Sequence, residues 1–383
     1  MKMLLPCSGL LLALLVSPFA QAAKKGDSFG YVGTYTRGES KGIYVFRFSA
    51  STGKAGPVEL AAETPNPSFL AVHPNGRQLY SVSEMAGPDG TPGGTVSAFS
   101  LDRRTGKLTF LNKTSTRGTS PCHLVVDKTG TNVLLANYSS GSVAVIPLKA
   151  DGSLKEVSGF VQHTGSSVDA RRQRGPHAHS INLSADNRFA VVADLGLDQL
   201  LVYRFDPVAG TLTPNEPPFL AIKPGSGPRH FAFHPNGKFA YQINEMASTV
   251  GALSYDKANG AFKHLQYIST LPADFKGDNT TAEVQAHRSG KFVYGSNRGH
   301  DTVAAFSVNK SDGTLTYVGN YGAGGRVIRN FGIDPTGKYL FAAHQNSNFI
   351  AVFKIDQKTG QLTATGEKLN AGAPVCVKFV TAE

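Results

Sequence analysis

The sequence predicts an all-β fold: a seven-bladed β-propeller closed by pairing of its N- and C-terminal strands. Three observations predict it. One short turn ending in glycine occurs seven times, as Thr52-Gly53, Thr105-Gly106, Asp151-Gly152, Ala209-Gly210, Asn259-Gly260, Asp312-Gly313 and Thr359-Gly360. From Gly53 to Gly360 the glycines recur about every 51 residues, a period expected of repeat architectures. Between turns lie short runs of alternating apolar residues, the signature of strands. The two chain ends each carry part of one such unit.

The turn is built from residues suited to it. Asp102, Asp206, Asp256, Asn309 and Asp356 stand four places before their glycines. Asp and Asn bond the backbone ahead of them, and Gly supplies positive φ at low cost. A large apolar residue follows in six copies: Leu108, Leu154, Leu212, Phe262, Leu315 and Leu362. The fullest unit runs from Pro228 to Glu245, with a first turn at Pro235 to Lys238. It continues through Thr249 to Tyr255 and reaches the Asp256 turn. The same unit starts near Pro67, Pro121, His177, Thr281 and Ile328. Each holds four short strands, the content of one blade.

The last blade is shared between the ends. Pro374 to Phe379 reads as a first strand with nothing after it, and Phe29 to Tyr35 as a second strand with no first. Pairing them closes the ring and hides both edges. The chain has no Trp, so a Trp-Asp repeat signature cannot occur.

Residues 1–22 read as a signal peptide and residues 28–380 as the propeller. Lys2, the apolar run Leu10 to Val16, and Ala20 to Ala22 make a charged start, a short hydrophobic region and a small-residue cleavage site. Export to the periplasm or medium is expected, with no membrane span after cleavage. The formal charge is +11, and removal of Lys2 leaves +10. Such a protein attracts anionic ligands. No long Lys/Arg run occurs, so nucleic acid is not an expected partner. Cys122 and Cys376 fall on first strands of blades that are not neighbours. A disulfide needs Cα atoms within about 7 Å, so two buried thiols are expected.

In propellers the first strand of each blade lines the central channel. The residue two places into each unit is Phe69, His123, His179, His230, Glu283, Asn330 and Cys376. Five of these are polar or ionisable, where a structural slot would be apolar. Arg229 and Arg329 occupy the preceding slot. The second strands end at Glu84, Asn137, Asp194, Asn244 with Glu245, Asn297 with Arg298, and His344. Polar groups converging on one concavity mark a site, although each alone also suits turn capping. His177 and His179 at i, i+2 point to the same side of a strand. No cysteine pair or carboxylate motif at metal spacing accompanies them, so no metal or cofactor is expected. No Gly-x-Ser-x-Gly elbow occurs. Arg171, Arg172 and Arg174 lie in a long loop before His177, which reads either as a solvated loop or as an overhang of the channel mouth that attracts an acidic substrate.

Pro176 to Ser180, Gly227 to His230, Asn244-Glu245, Ser296 to Arg298 and the repeated His-Pro-Asn-Gly turn resemble one family. It is the bacterial propeller lactonase family, which includes the propeller-type 6-phosphogluconolactonases and the fungal carboxy-muconate cyclases. The resemblance covers about residues 28–380. It implies a site at one mouth of the channel, no metal, and a catalytic set of His179 (or His177), Arg229, Glu245 and Arg298. His177, His123, His230, Glu283, Asn297, Arg329 and Asn330 are then the candidate substrate-binding residues. The implied substrate is a small anionic or sugar lactone. 6-Phosphogluconolactone is a cytosolic metabolite, so the leader points to another sugar or acidic lactone.

The roles follow from chemistry. Histidine suits proton transfer near neutral pH. Arginine holds an oxyanion, carboxylate or phosphate with a fork of donors. A glutamate beside it orients the arginine or relays a proton. A muconate cyclase would use the same groups in reverse, and an exported binding propeller would not require them.

Overall fold

The computed structural model describes residues 27–87 and 90–383; the proposed leader lies outside them. Among the described residues there is no α-helix, and no helix long and apolar enough to cross a membrane. The strands form seven separate sheets, each running outward from the channel.

Six blades come from consecutive strands. Their inner strands are Leu70–Val72, Pro121–Val126, Ala178–Leu183, Pro228–Phe233, Thr280–Ala286 and Ile328–Ile333. We number these blades two to seven. Blade one takes its inner strand, Pro374–Thr381, from the C-terminus and its second, Asp27–Thr34, from the N-terminus. The two pair antiparallel, with Phe29 opposite Val380, Tyr31 opposite Lys378 and Gly33 opposite Cys376. Cys122 and Cys376 are both buried and free.

The repeated turn also joins neighbouring blades. Gly313 has φ +79°, and its N–H bonds the Asn309 carbonyl at 2.8 Å. A Cβ there would sit 2.4 Å from the Phe239 ring of the preceding blade. Glycine is therefore needed for the backbone conformation and for the close approach. The Gly313 carbonyl accepts the hydroxyl of Tyr241 at 3.1 Å. Equivalent buried tyrosine bonds run from Tyr31 to Gly106, Tyr80 to Gly152 and Tyr294 to Gly360, at 2.7, 2.8 and 2.9 Å. The histidine of the His-Pro-Asn-Gly turn does the same at blade five, where His234 Nε2 lies 2.8 Å from the Gly290 carbonyl. Apolar faces fill the space between. Phe46 and Phe48 of blade one pack on Phe341 of blade seven at centroid distances of 5.5 and 4.9 Å.

Candidate active site

A β-bulge recurs where inner strands leave one mouth of the channel. In blade five Pro228 pairs with Asn244 and His230 with Ile243, which leaves Arg229 unpaired. The same shift leaves His179 unpaired in blade four and Arg329 in blade seven. Cys122 and Val375 hold the equivalent places. Bulges re-aim side chains beside active sites. Here Cys122, His179, Arg229, Arg329 and Val375 line one small cavity at the mouth, with Ser68 and Glu84.

The register corrects the sequence alignment at blade four. There Ser180, not His179, is the counterpart of His123 and His230. His179 shares its place with Arg229 and Arg329.

Glu245 is the hub of the mouth. Its Oε2 accepts from Arg229 Nε at 3.0 Å and pairs with Arg298 Nη2 at 2.8 Å. Its Oε1 accepts from Arg172 Nη2 at 2.7 Å. The loop of Arg171 to Arg174 thus reaches over the mouth through Arg172. Burial alone would raise the Glu245 carboxyl, but Arg298, Arg229 and Arg172 outweigh it and hold it well below the usual carboxylate range. A carboxylate so held orients arginines and does not donate a proton. Burial, aided by Arg298 and Arg329, pushes Arg229 down to about 10, so it remains a cation at neutral pH. Arg229 Nη1 also donates to the Ala282 carbonyl at 2.8 Å, and Arg298 Nη2 to the Thr281 carbonyl at 2.6 Å.

The other side of the mouth carries Tyr35, Glu84 and Arg329. The Tyr35 hydroxyl lies 3.0 Å from each Glu84 oxygen. Burial, with Glu84 adding to it, raises the Tyr35 pKa, so Tyr35 is the donor. The Arg329 guanidinium stacks over the Tyr35 ring at 5.4 Å. The mouth therefore gathers four arginines around two carboxylates.

Both histidines of the blade-four motif are near. His177 stacks on Tyr138 at 4.6 Å, and its Nδ1 lies 3.1 Å from the Tyr138 carbonyl. That carbonyl fixes the proton on Nδ1 and leaves Nε2 as an acceptor. The Tyr138 hydroxyl meets Arg172 at 3.3 Å. His179 is 4% exposed, with Nδ1 3.6 Å from Cys122 Sγ. Burial, then Arg229 and His230, pushes its pKa well below the ordinary histidine value. It stays neutral and is a weaker base than an exposed histidine.

Below the mouth the channel is plugged. His230 accepts from Arg229 Nη1 on Nε2 at 3.2 Å, so its proton sits on Nδ1, which lies 3.2 Å from Glu283 Oε2. Asn330 Nδ2 bonds the same Glu283 oxygen and its Oδ1 accepts from Val377 N–H at 2.9 Å. His123 packs on Phe69 at 4.2 Å and on His230 at 5.2 Å. His123, His230, Glu283 and Asn330 thus form the plug, beneath the mouth cavity. Burial raises the Glu283 carboxyl.

Of the candidate residues, the structure brings Arg229, Glu245 and Arg298 into direct contact, with His179, His177 and Arg329 around them. Asn297 lies inside blade six, bonded to Thr270, Thr302 and Asn279. Asp194 likewise caps the loop at 196–197 and holds the His177 N–H at 2.7 Å. Asn137 and Asn244 bond Ser142 and Thr249. These second-strand ends face their own blades. Glu245 and Arg298, the next residues in blades five and six, reach the mouth, as do Tyr35 and Tyr138 at the corresponding places, which the sequence reading did not single out. Among the described residues no group of three metal-ligating side chains occurs.

Comparison with known proteins agrees with this fold. The chain is 38% identical over 351 residues to a 6-phosphogluconolactonase of Bacillus subtilis, covering 92% of this chain and 98% of the relative. A 6-phosphogluconolactonase of Formosa agariphila is 35% identical over 312 residues, covering 80% of this chain and 86% of the relative. The solved structure of a periplasmic gluconolactonase of Pseudomonas aeruginosa matches with a TM-score of 0.87 and 33% identity, over 93% of this chain and 100% of that one. A family model described as "Lactonase, 7-bladed beta-propeller" matches residues 29–379. By sequence, fold and blade count, the chain belongs to the seven-bladed propeller lactonase family.

Proposed function

We propose that this protein is an exported lactonase that hydrolyses a sugar or acidic lactone at the arginine-lined mouth. The observation that carries the reading is the Arg172, Arg229 and Arg298 cluster gathered on Glu245, with Arg329 nearby. Buried cations at a concave mouth stabilise negative charge as it develops on a carbonyl oxygen. Glu245 keeps them assembled before substrate arrives.

Ester hydrolysis then needs a water, an oxyanion cradle and a proton for the departing ring oxygen. Arg229 and Arg298 supply the cradle. His179 contributes a neutral imidazole that hydrogen-bonds the reacting oxygen. Arg172 and Arg329 attract the anionic product or an acidic substituent. Export fits the charged start and apolar run of residues 1–22, and the similarity to a periplasmic gluconolactonase supports an unphosphorylated sugar lactone.

The test is proton release by purified mature protein against gluconolactone, 6-phosphogluconolactone and carboxymuconolactone. Gluconolactone is expected to be opened fastest. Preference for the phosphorylated lactone would replace the substrate assignment. No acid release from any of the three would overturn the lactonase reading.

A further inference from the structure

We propose that Glu84, positioned by Tyr35, is the general base that activates the attacking water. This rests on the lactonase reading above and names a group that reading leaves open. The argument starts from acceptor capacity. A carboxylate offers about four lone-pair positions. Three of those of Glu245 are occupied by arginines. Three of those of Glu283 are taken by Val284 N–H, His230 and Asn330 in the plug. His230 is bonded at both ring nitrogens. Glu84 is half-buried and holds only the Tyr35 hydroxyl, shared between its two oxygens. Among the described residues it is the mouth carboxylate with the most acceptor capacity to spare.

Position makes the same point. Glu84 lines a cavity of about 10 Å³ together with His179, Arg229 and Arg329. That is roughly the space one water occupies. A water held there would have a carboxylate to accept its proton, a neutral imidazole beside it, and Arg229 of the oxyanion cradle next to it. Among the described residues no other place at the mouth combines these groups.

The step balances within the site. Glu84 takes a proton from water as the water oxygen bonds the lactone carbonyl carbon. The tetrahedral oxyanion rests on the arginines. The acyl C–O ring bond then breaks, and the protonated Glu84 returns its proton to the ring-oxygen alkoxide. The product is a hydroxy acid, and no co-reactant besides water is consumed. Tyr35 acts as a positioning residue. Its hydroxyl fixes the carboxylate plane, and its ring is held by Arg329.

The experiment compares Glu84→Gln, Glu84→Ala and Tyr35→Phe with wild type on the lactone it opens fastest. Glu84→Gln should lower kcat by about 10²–10⁴-fold with little change in KM. Added formate should restore part of the rate of Glu84→Ala, and Tyr35→Phe should lower kcat more modestly. Circular dichroism and melting establish that each variant is folded. A folded Glu84→Gln with wild-type kcat overturns the inference and leaves the lactonase reading standing. Should Glu84→Gln not fold, unchanged kcat in Tyr35→Phe with no formate response in Glu84→Ala overturns it equally. Wild type inactive on every lactone overturns both.

Discussion

Replacing Glu245 with Gln should cost the protein both stability and activity. Arg229 and Arg298 lie 3.0 and 2.8 Å from its carboxylate, with side chains only 3% and 13% exposed. Arg172 sits at 2.7 Å but is 40% exposed, so its pairing adds little. Removing one partner of a buried ion pair costs about 3–5 kcal/mol, because the remaining charges lose their compensation. At about 2.1 cal/mol/K per residue, a chain of this length loses roughly 1.3 °C of Tm per kcal/mol. Glu245→Gln should therefore melt about 4–7 °C lower at pH 7. The carboxyl is held below its unfolded value, so its stabilisation is present above an unfolded pKa near about 4.3 and lost as pH falls through the folded value. The gap between variant and wild type should accordingly close in strong acid. With its arginines unanchored, kcat/KM should fall by about 10²-fold. Differential scanning fluorimetry and proton release read the two effects. A variant that melts within about 1 °C of wild type and keeps its kcat/KM would refute the reasoning.

Deleting Pro374 to Glu383 removes the inner strand of blade one and exposes the edge of Asp27–Thr34. Soluble protein should be lost, and a folded monomer with unchanged Tm would contradict the closure. His123, His179 and His230 are held well below ordinary histidine values, first by burial. The unfolded chain binds those protons more readily, so stability should fall as pH drops below about 6.5. Glu283, raised by burial, opposes this in part. A Tm that rises between pH 7 and 5 would contradict this balance. Mass spectrometry of fractionated cells should find a mature start at Ala23 or Lys24 outside the cytosol, whereas intact Met1 in the cytosol would remove the export proposal.

The ring was legible in the sequence because its signals are local. Asp256 and Gly260 specify their turn within five residues, and the N–H of Gly260 does bond the Asp256 carbonyl at 2.8 Å. Inner strands were legible from alternation. The site was legible in part, as Arg229, Glu245 and Arg298. What alternation hides is the bulge, which leaves His179 unpaired beside the equivalent Arg229 and Arg329 and turns it toward the mouth; the blade-four unit also starts one residue later than its sequence suggests, at Ala178. The second-strand ends are hidden for a related reason. Asn297 and Arg298 are adjacent and both polar, yet one turns into its blade and the other toward Glu245. Only the register with Thr281 and the bonds to Thr270 separate them. The reach of Arg172 across to Glu245 depends on a loop with no periodic signal.

The most direct test of the central claim is proton release by Arg229→Ala, alone and with His179→Ala. Arg229 carries no sheet pairing of its own, and Glu245 retains two other arginines, so the variants should remain folded. The account predicts a loss of about 10²–10³-fold in kcat/KM for Arg229→Ala, with wild-type activity unchanged by a chelator. Wild-type turnover in the double variant, or activity abolished by the chelator, would contradict it.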